Sequence, residues 1–492
     1  MTYLRIEAGR FSYQGSKETQ IEIEDLSLNQ GETLVVCGNS GSGKSTLTNL
    51  LNGISPEYIE GQVQGKFELA HLQAGKNGLD DYVGIVGSVF QNPRTQHFTL
   101  NTTDEIVLPC ENIGLDQTCI QKRLDWVVDL MGINNLLDRP IFDLSGGKKQ
   151  LIALASTLIL QPQVLILDEV SSNLDQAAID RIKGIVGSMQ SQGMTLLIID
   201  HRLEWTRGLA DYYLKLAGGR VEKVWDHEAF QALSEDDMAQ LGLRTNKPIL
   251  GSDLHFSKDP VFKPVLDLNQ LAVGYDFPLL EGINLAFSYG EVTAVIGPIG
   301  IGKSTLADVM VGLRQPLKGQ IKWEQVSQDR KSLLSKSFIV MQDVNYQLFH
   351  HTVWHELVVG TKWEEADPQD EHNLPNRLLD RLDIKDLKNR HPMTLSGGEK
   401  QRVLIASAIV SGKEILIFDE PTSGFDYEHM VRFGQILQNL KEEQIVMLVF
   451  THDYELAKHW CDRVVDIEDY RTSKNLKPVS YTHLTLPTSD LV

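Results

Sequence analysis

The sequence predicts an α/β fold repeated twice along one chain, each copy built on a mainly parallel sheet. Three observations carry that expectation. A β-rich run ending directly in a glycine loop, followed by a helical run, occurs twice. A continuous apolar run ending in Asp-Glu also occurs twice, as strands buried on both faces require. The matching pieces keep nearly constant spacing, the mark of an internal repeat.

The elements follow in order. GETLVVCG reads as a strand and leads into Gly38-Asn39-Ser40-Gly41-Ser42-Gly43-Lys44-Ser45; STLTNLLNG then has helical apolar spacing. In the second copy GEVTAVIG leads into Gly297-Pro298-Ile299-Gly300-Ile301-Gly302-Lys303-Ser304, and STLADVMVG follows. Leu144-Ser145-Gly146-Gly147 recurs as Leu395-Ser396-Gly397-Gly398. QVLILDE and EILIFDE read as buried strands ending in Asp168-Glu169 and Asp419-Glu420, and the short runs TLLIIDH and IVMLVFTH end in His201 and His452. Strands alternating with helices give α/β architecture.

The loop lysines lie 259 residues apart, whereas Ser145 and Ser396, the glutamates and the histidines each lie 251 apart. The first copy therefore carries eight extra residues, expected in the Gly- and Asn-containing stretch His71–Asp81. The expected organisation is a first domain over 1–245, a linker over 246–264, a second domain over 265–478 and a tail over 479–492. The tail, VSYTHLTLPTSDLV, has no counterpart in the first copy and is read as foreign or mistranslated.

Bulk properties narrow the function. The 492 residues carry 46 Lys plus Arg against 66 Asp plus Glu, a formal charge of −20. That balance is poorly suited to a nucleic-acid backbone, whose binding rests on neutralising phosphates. Cys37, Cys110, Cys119 and Cys461 form no C-x-x-C pair, which leaves a metal cluster without support and suits a reducing cytosol. The opening MTYLRIEAGR has no long apolar stretch behind it, so no secretory signal is expected. No apolar run approaches the roughly 18–20 residues a bilayer needs. Any membrane-spanning part is expected from another protein.

G-x-x-x-x-G-K-[ST] between strand and helix is a phosphate loop. Its glycines let backbone N–H groups crowd around phosphate oxygens at the positive end of a helix. Lys44 and Lys303 are expected on the β- and γ-phosphates of ATP, with Ser45 and Ser304 on Mg²⁺. The flanking Thr46 and Thr305 are included among the nucleotide-binding residues. Asp168 and Asp419 end their strands where a carboxylate reaches Mg²⁺. Glu169 and Glu420 are placed to polarise the attacking water, and His201 and His452 to contact the γ-phosphate. An isolated Asp-Glu could equally cap a strand, and a lone His could be structural; the duplicated spacing favours the functional reading.

Together these residues resemble the ABC ATPase family over nearly the whole chain. Leu144–Gln150 and Leu395–Arg402 look like its signature motif, Gln91 and Gln342 like its Q-loop glutamine and Mg²⁺ ligand, and Ser172–Asp175 and Ser423–Asp426 like its D-loop. Tyr13 and Tyr275 fall where the family stacks an aromatic ring on adenine. The resemblance implies, in each copy, a parallel core, an antiparallel β subdomain and a helical subdomain. It also implies that the two halves pair within one chain. One composite site would combine Lys44, Gln91, Glu169 and His201 with Ser396 and Gly398; the other would combine Lys303, Gln342, Glu420 and His452 with Ser145 and Gly147. The first copy departs from the pattern at Val170-Ser171 and at Lys148, which predicts unequal sites rather than a dead one.

Three classes of the family fuse two such domains without membrane spans. Translation factors that act on ribosomes carry a long basic linker, absent here. Sugar-importer ATPases often have one degenerate catalytic site, also absent here. The segments Gln91-Asn92-Pro93-Arg94-Thr95-Gln96-His97-Phe98 with Glu105, and Gln342 through Gln347-Leu348-Phe349 with Glu356, resemble the third class, the energy-coupling-factor importers. In that class the segment lies near the groove for a membrane subunit's coupling helix. The implied partners are an integral membrane coupling subunit and a small substrate-binding membrane protein, and the implied place is the cytoplasmic membrane face. The fused arrangement resembles ATPases assigned to uptake of thiamine or its pyrimidine precursor, with other vitamins or metals also open.

Overall fold

The structure, a computed structural model, describes residues 1–16, 18–91, 96–172 and 174–472. The expected Asn92-Pro93-Arg94-Thr95 segment, Asn173 of the D-loop, residues 473–478 and the tail 479–492 lie outside the described residues.

Each copy contains the expected parallel core. In the first, Val86–Val89, Val164–Asp168, Thr195–Ile199, Thr33–Cys37 and Tyr212–Ala217 lie side by side, each pair parallel. In the second, Ser337–Val340, Ile415–Asp419, Val446–Phe450, Val292–Ile296 and Arg463–Asp466 take the same order. Every residue of Thr33–Cys37 and Val292–Ile296 is buried, because helices cover both faces. In each copy the Asp expected on Mg²⁺, Asp168 or Asp419, stands at the end of the strand next but one to the strand feeding the phosphate loop.

The antiparallel part is also present twice. Thr2–Tyr13 pairs with Ile21–Asn29 and Gly61–Leu69, and Pro264–Gly274 with Pro278–Ser288 and Lys318–Trp323. The helical part comprises Thr102–Asn112, Gln117–Met131 and Gly146–Leu158 in one copy. Val353–Val358, Leu374–Arg381 and Gly397–Val410 match it in the other. The copies differ at one seam. A hairpin partner, Arg220–Asp226, bonds to Tyr212–Ala217 and touches Glu22 through Arg220. It thereby joins both first-copy sheets into one of ten strands; the second copy keeps separate four- and five-stranded sheets.

The eight extra residues are divided between two places. A left-handed two-residue turn, Ala70-His71, recurs 254 residues later as Glu324-Gln325. Measured against the lysine and glutamate spacings, five extra residues precede this turn, around the helix Ile54–Glu57, and three follow it. Only the three fall in the expected stretch.

The stretch 246–264, expected to be a linker, is fastened to the second copy. Arg463, fully buried, is ion-paired with Glu291 and donates to the carbonyls of Lys258 at 3.0 Å and of Ala286. Among the described residues, no helix is long and apolar enough to cross a membrane.

Candidate active site

The phosphate loops owe their shape to glycine. Gly38 has φ 142°, and a Cβ there would strike the carbonyl oxygen of Leu216. Lys44, buried at the start of helix Lys44–Leu51, donates to the carbonyls of Gly38 at 2.9 Å and Asn39 at 3.0 Å. Burial pushes its pKa down, against the pull of Glu169. Lys303 donates to the Gly297 carbonyl at 2.7 Å and lies 3.3 Å from Glu420 Oε1. Each loop therefore curls around its own ammonium, with the helix N-terminus alongside.

The metal position can be tested in the second copy. The Ser304 hydroxyl donates to Asp419 Oδ2 at 2.9 Å, while buried Asp419 Oδ1 has no hydrogen-bond partner among the described residues. An orphaned carboxylate oxygen beside a hydroxyl and Gln342, all on one cleft, is an oxygen-only donor set that suits Mg²⁺. Burial raises the Asp419 pKa, and burial together with the charge of Glu169 pushes Asp168 up to about 7. Ser45 stands exposed at the matching position in the first copy.

Glu169 and Glu420 both have φ 49°, a left-handed conformation that L-residues seldom adopt. Their N–H groups donate across to Ile199 O at 2.7 Å and Phe450 O at 2.8 Å. The Gln91 amide donates to Glu169 Oε2 at 2.7 Å, and His201 Nε2 lies 3.2 Å from Oε1. His452 Nδ1 lies 2.8 Å from Glu420 Oε2. Burial alone would raise both glutamates; the adjoining histidine and lysine outweigh it and hold each below the ordinary carboxylate value.

The halves meet through their D-loops. Asp175 caps the helix Gln176–Ser191 and, with its other oxygen, accepts the N–H of Ile299 at 2.9 Å. Asp426 caps Tyr427–Leu440 and accepts the N–H of Ser40 at 2.6 Å. Each phosphate loop is thus bonded to the opposite half. Gly147 packs against Leu174 and Ala178, and Gly398 against His429, so each signature helix starts beside the D-loop that makes the crossing. A cleft of about 810 Å³ is lined by Leu144, Gly146 and Lys149 on one wall and by Tyr275, Gly300 and Lys303 on the other. Its volume falls in the range of small-molecule sites.

The two adenine-position tyrosines differ. Tyr275 is 58% exposed on that cleft with the Arg314 guanidinium 4.3 Å from its ring centre. Tyr13 is half-buried, its hydroxyl 2.7 Å from Thr46 Oγ1 and its ring edge-on to Phe11. The signature serines differ too. Ser396 forms a capping box with Glu399, whereas Ser145, with Lys148 in that place, makes no side-chain cap bond.

The segments after Gln91 and Gln342 share one hydrogen-bond scheme. Gln96 accepts from Phe90 N–H and donates to Ser88 O; Gln347 accepts from Met341 N–H and donates to Ile339 O. Glu105 accepts the N–H of Phe98 and Thr99, and Glu356 the N–H of Phe349 and His350. Beside these bonds Phe98 and Phe349 are each 79% exposed.

Sequence reasoning missed a carboxylate beside each histidine. The Ser171 hydroxyl donates to Asp200 at 2.7 Å and the Thr422 hydroxyl to Asp453 at 2.8 Å. Asp200 precedes its histidine and Asp453 follows its own, so a search at one fixed spacing passes over the pair. It also missed Arg244, which crosses between halves.

Two phosphate loops, each followed by a strand-end Asp-Glu and each bonded to the opposite half, define a tandem nucleotide-hydrolysing protein. The sequence matches the ABC transporter family over residues 22–172 and 280–423, and the chain belongs to that family. It is an ATPase working with ATP and Mg²⁺. It is 35% identical over 474 residues to a Treponema denticola chain assigned as an ABC transporter ATP-binding protein, covering 95% of both. It is 28% identical over 502 residues to a Bacillus subtilis chain assigned as the HMP/thiamine import ATP-binding protein YkoD, covering 95% of this chain and 90% of that one. Among solved structures it resembles, in fold, a chain from ribosome-bound archaeal Pelota and ABCE1, with a TM-score of 0.63 and 21% identity, covering 93% of this chain and 76% of that one.

Proposed function

We propose that this chain is the ATP-hydrolysing subunit of an energy-coupling-factor type importer for a vitamin, a vitamin precursor or a metal. Its working units are residues 1–245 and 265–478, joined by 246–264. The observation that carries the reading is the duplicated loop presenting Phe98 and Phe349. Nothing in the described residues covers these rings, and each loop starts at the glutamine that faces the nucleotide site. An apolar side chain held out this far marks a surface for a partner. A membrane subunit seated there would feel closure of the ATP sites through Gln91 and Gln342. The likeness to the Bacillus subtilis thiamine-import chain supports a vitamin-type cargo.

In each composite site, Lys44 or Lys303 and the loop N–H groups hold the phosphates. The opposite signature, Ser396-Gly397-Gly398 or Ser145-Gly146-Gly147, closes over the γ-phosphate with its helix N-terminus. Glu169 or Glu420 accepts the proton of the attacking water, and His201 or His452 orients that glutamate and meets the γ-phosphate. Mg²⁺, held by Ser45 and Asp168 or by Ser304 and Asp419 with the Q-loop glutamine, would neutralise charge on the β- and γ-oxygens. In the second copy ATP draws Lys303 away from Glu420, which frees that carboxylate for water.

The test is recovery of the tagged chain from detergent-solubilised native membranes. A multi-span coupling subunit and a small hydrophobic binding protein are expected with it, and both are expected to be lost from the Phe98→Asp/Phe349→Asp variant while ATP binding persists. Recovery of ribosomes without membrane protein would overturn the importer reading.

A further inference from the structure

We propose that Arg244 is a positioning residue for the second ATP site, carried across from the end of the first repeat to hold the segments that bear Glu420 and His452. The inference rests on reading that pair as hydrolytic. Arg244 is 5% exposed and spans two carboxylates of the other half. Its Nη2 donates to Asp453 Oδ1 at 2.5 Å and its Nε to Glu455 Oε2 at 2.8 Å, while the N–H of Thr245 donates to Glu455 Oε1 at 2.9 Å. A guanidinium that forks across two carboxylates fixes direction as well as charge.

The consequence lies one bond further on. Asp453 follows His452 in sequence, and its second oxygen accepts the hydroxyl of Thr422, two residues beyond Glu420. One carboxylate therefore ties the backbone next to the histidine to the backbone next to the glutamate. Arg244 also lines the small central cavity shared by Glu420, His452, Glu169 and His201.

The first site is built otherwise. The residues 251 positions before Asp453 and Glu455 are Arg202 and Glu204, which pair with each other at 3.1 Å inside their own half. The carboxylate beside His201 is Asp200, which accepts from Ser171, Trp205 Nε1 at 3.1 Å and the N–H of Arg202, all uncharged donors. Burial raises Asp200 accordingly, whereas Arg244 holds Asp453 down at about 2 against its burial. The carboxylate beside the first site's histidine is held by its own half, and the one beside the second site's histidine by the neighbouring half.

The experiment is vanadate trapping of a photoreactive azido-ATP with Mg²⁺ on the full-length chain, with labelled peptides assigned to each phosphate loop. In the unsubstituted chain both loops should trap nucleotide. In Arg244→Gln, trapping at the Lys303 loop should fall about tenfold or more, in line with losses seen when an orienting partner is removed, with the Lys44 loop nearly unchanged. Arg244→Lys should recover part of the loss. If Arg244→Gln does not fold, Arg244→Gln/Glu455→Gln removes the surplus carboxylate and carries the same expectation. Equal loss at both loops, or no loss at either, overturns the inference. Absence of trapping at the Lys303 loop of the unsubstituted chain would instead overturn the reading of Glu420 as catalytic.

Discussion

Glu169 and Glu420 stand in equivalent places with unequal neighbours, and their substitution separates the two sites. With Gln at either position alone, total ATP turnover should fall by less than about tenfold, because the other site continues; the double substitution should cost about 100-fold or more. Steady-state phosphate release measures both. An unaffected rate in one single variant beside abolished turnover in the other would contradict two working sites. Arg244 makes a second prediction, on stability. Removing it leaves Asp453 and Glu455 buried without their cation, a loss of about 3–5 kcal/mol at neutral pH. Asp453 has a depressed pKa, so its contribution is present above the ordinary Asp value near 4 and is lost as pH falls toward about 2. The deficit of Arg244→Gln against the parent should therefore be largest at pH 7 and shrink on acidification below about pH 4. Urea unfolding across that range reads it. Burial pushes the Cys37 thiol up to about 12, so iodoacetamide at pH 8 should leave it unmodified in the native chain.

Among the elements, the two signature helices offer the cleanest comparison. Gly397–Val410 starts in a capping box and Gly146–Leu158 does not, because Lys148 replaces the acid and puts a cation at the positive end of the helix. Lys148→Glu should stabilise the first half by about 1 kcal/mol, read as a higher urea midpoint. The phosphate loops, the Asp-Glu strand ends and the histidines were legible because their chemistry is local: a few adjacent residues carry the whole pattern. The Gln-x-Phe segments were legible as a repeat, but the tasks of Gln96 and Glu105 as clamps on the loop needed coordinates. Asp200 and Asp453 escaped because they lie on opposite sides of their histidines. Arg244 escaped because its partners are 209 and 211 residues away, and nothing near residue 244 in sequence announces them. The eight-residue difference was found from spacing, but spacing alone could not divide it between the helix Ile54–Glu57 and the stretch beyond the turn.

For the whole molecule, the crossings Asp175 to Ile299, Asp426 to Ser40 and Ser423 to Ser172 join the halves, and Lys258, between them in sequence, is bonded to the second half through Arg463. Covalent union holds each half at an effective concentration near the millimolar range. Halves expressed separately, split between Leu250 and Gly251, should therefore hydrolyse ATP with a rate per molecule that falls on dilution below micromolar levels, while the intact chain's rate stays constant. The left-handed backbone at Glu169 and Glu420 has a different consequence, felt by any selection acting on the chain. Glycine adopts that conformation freely, but Glu169→Gly strips Gln91 and His201 of their partner and Glu420→Gly strips Lys303 and His452 of theirs, so the relief of about 1 kcal/mol of backbone strain offsets only part of the lost pairing. A screen that rewarded heat resistance alone would thus hold acid at these two positions only loosely, and a population required to hydrolyse ATP would hold it firmly.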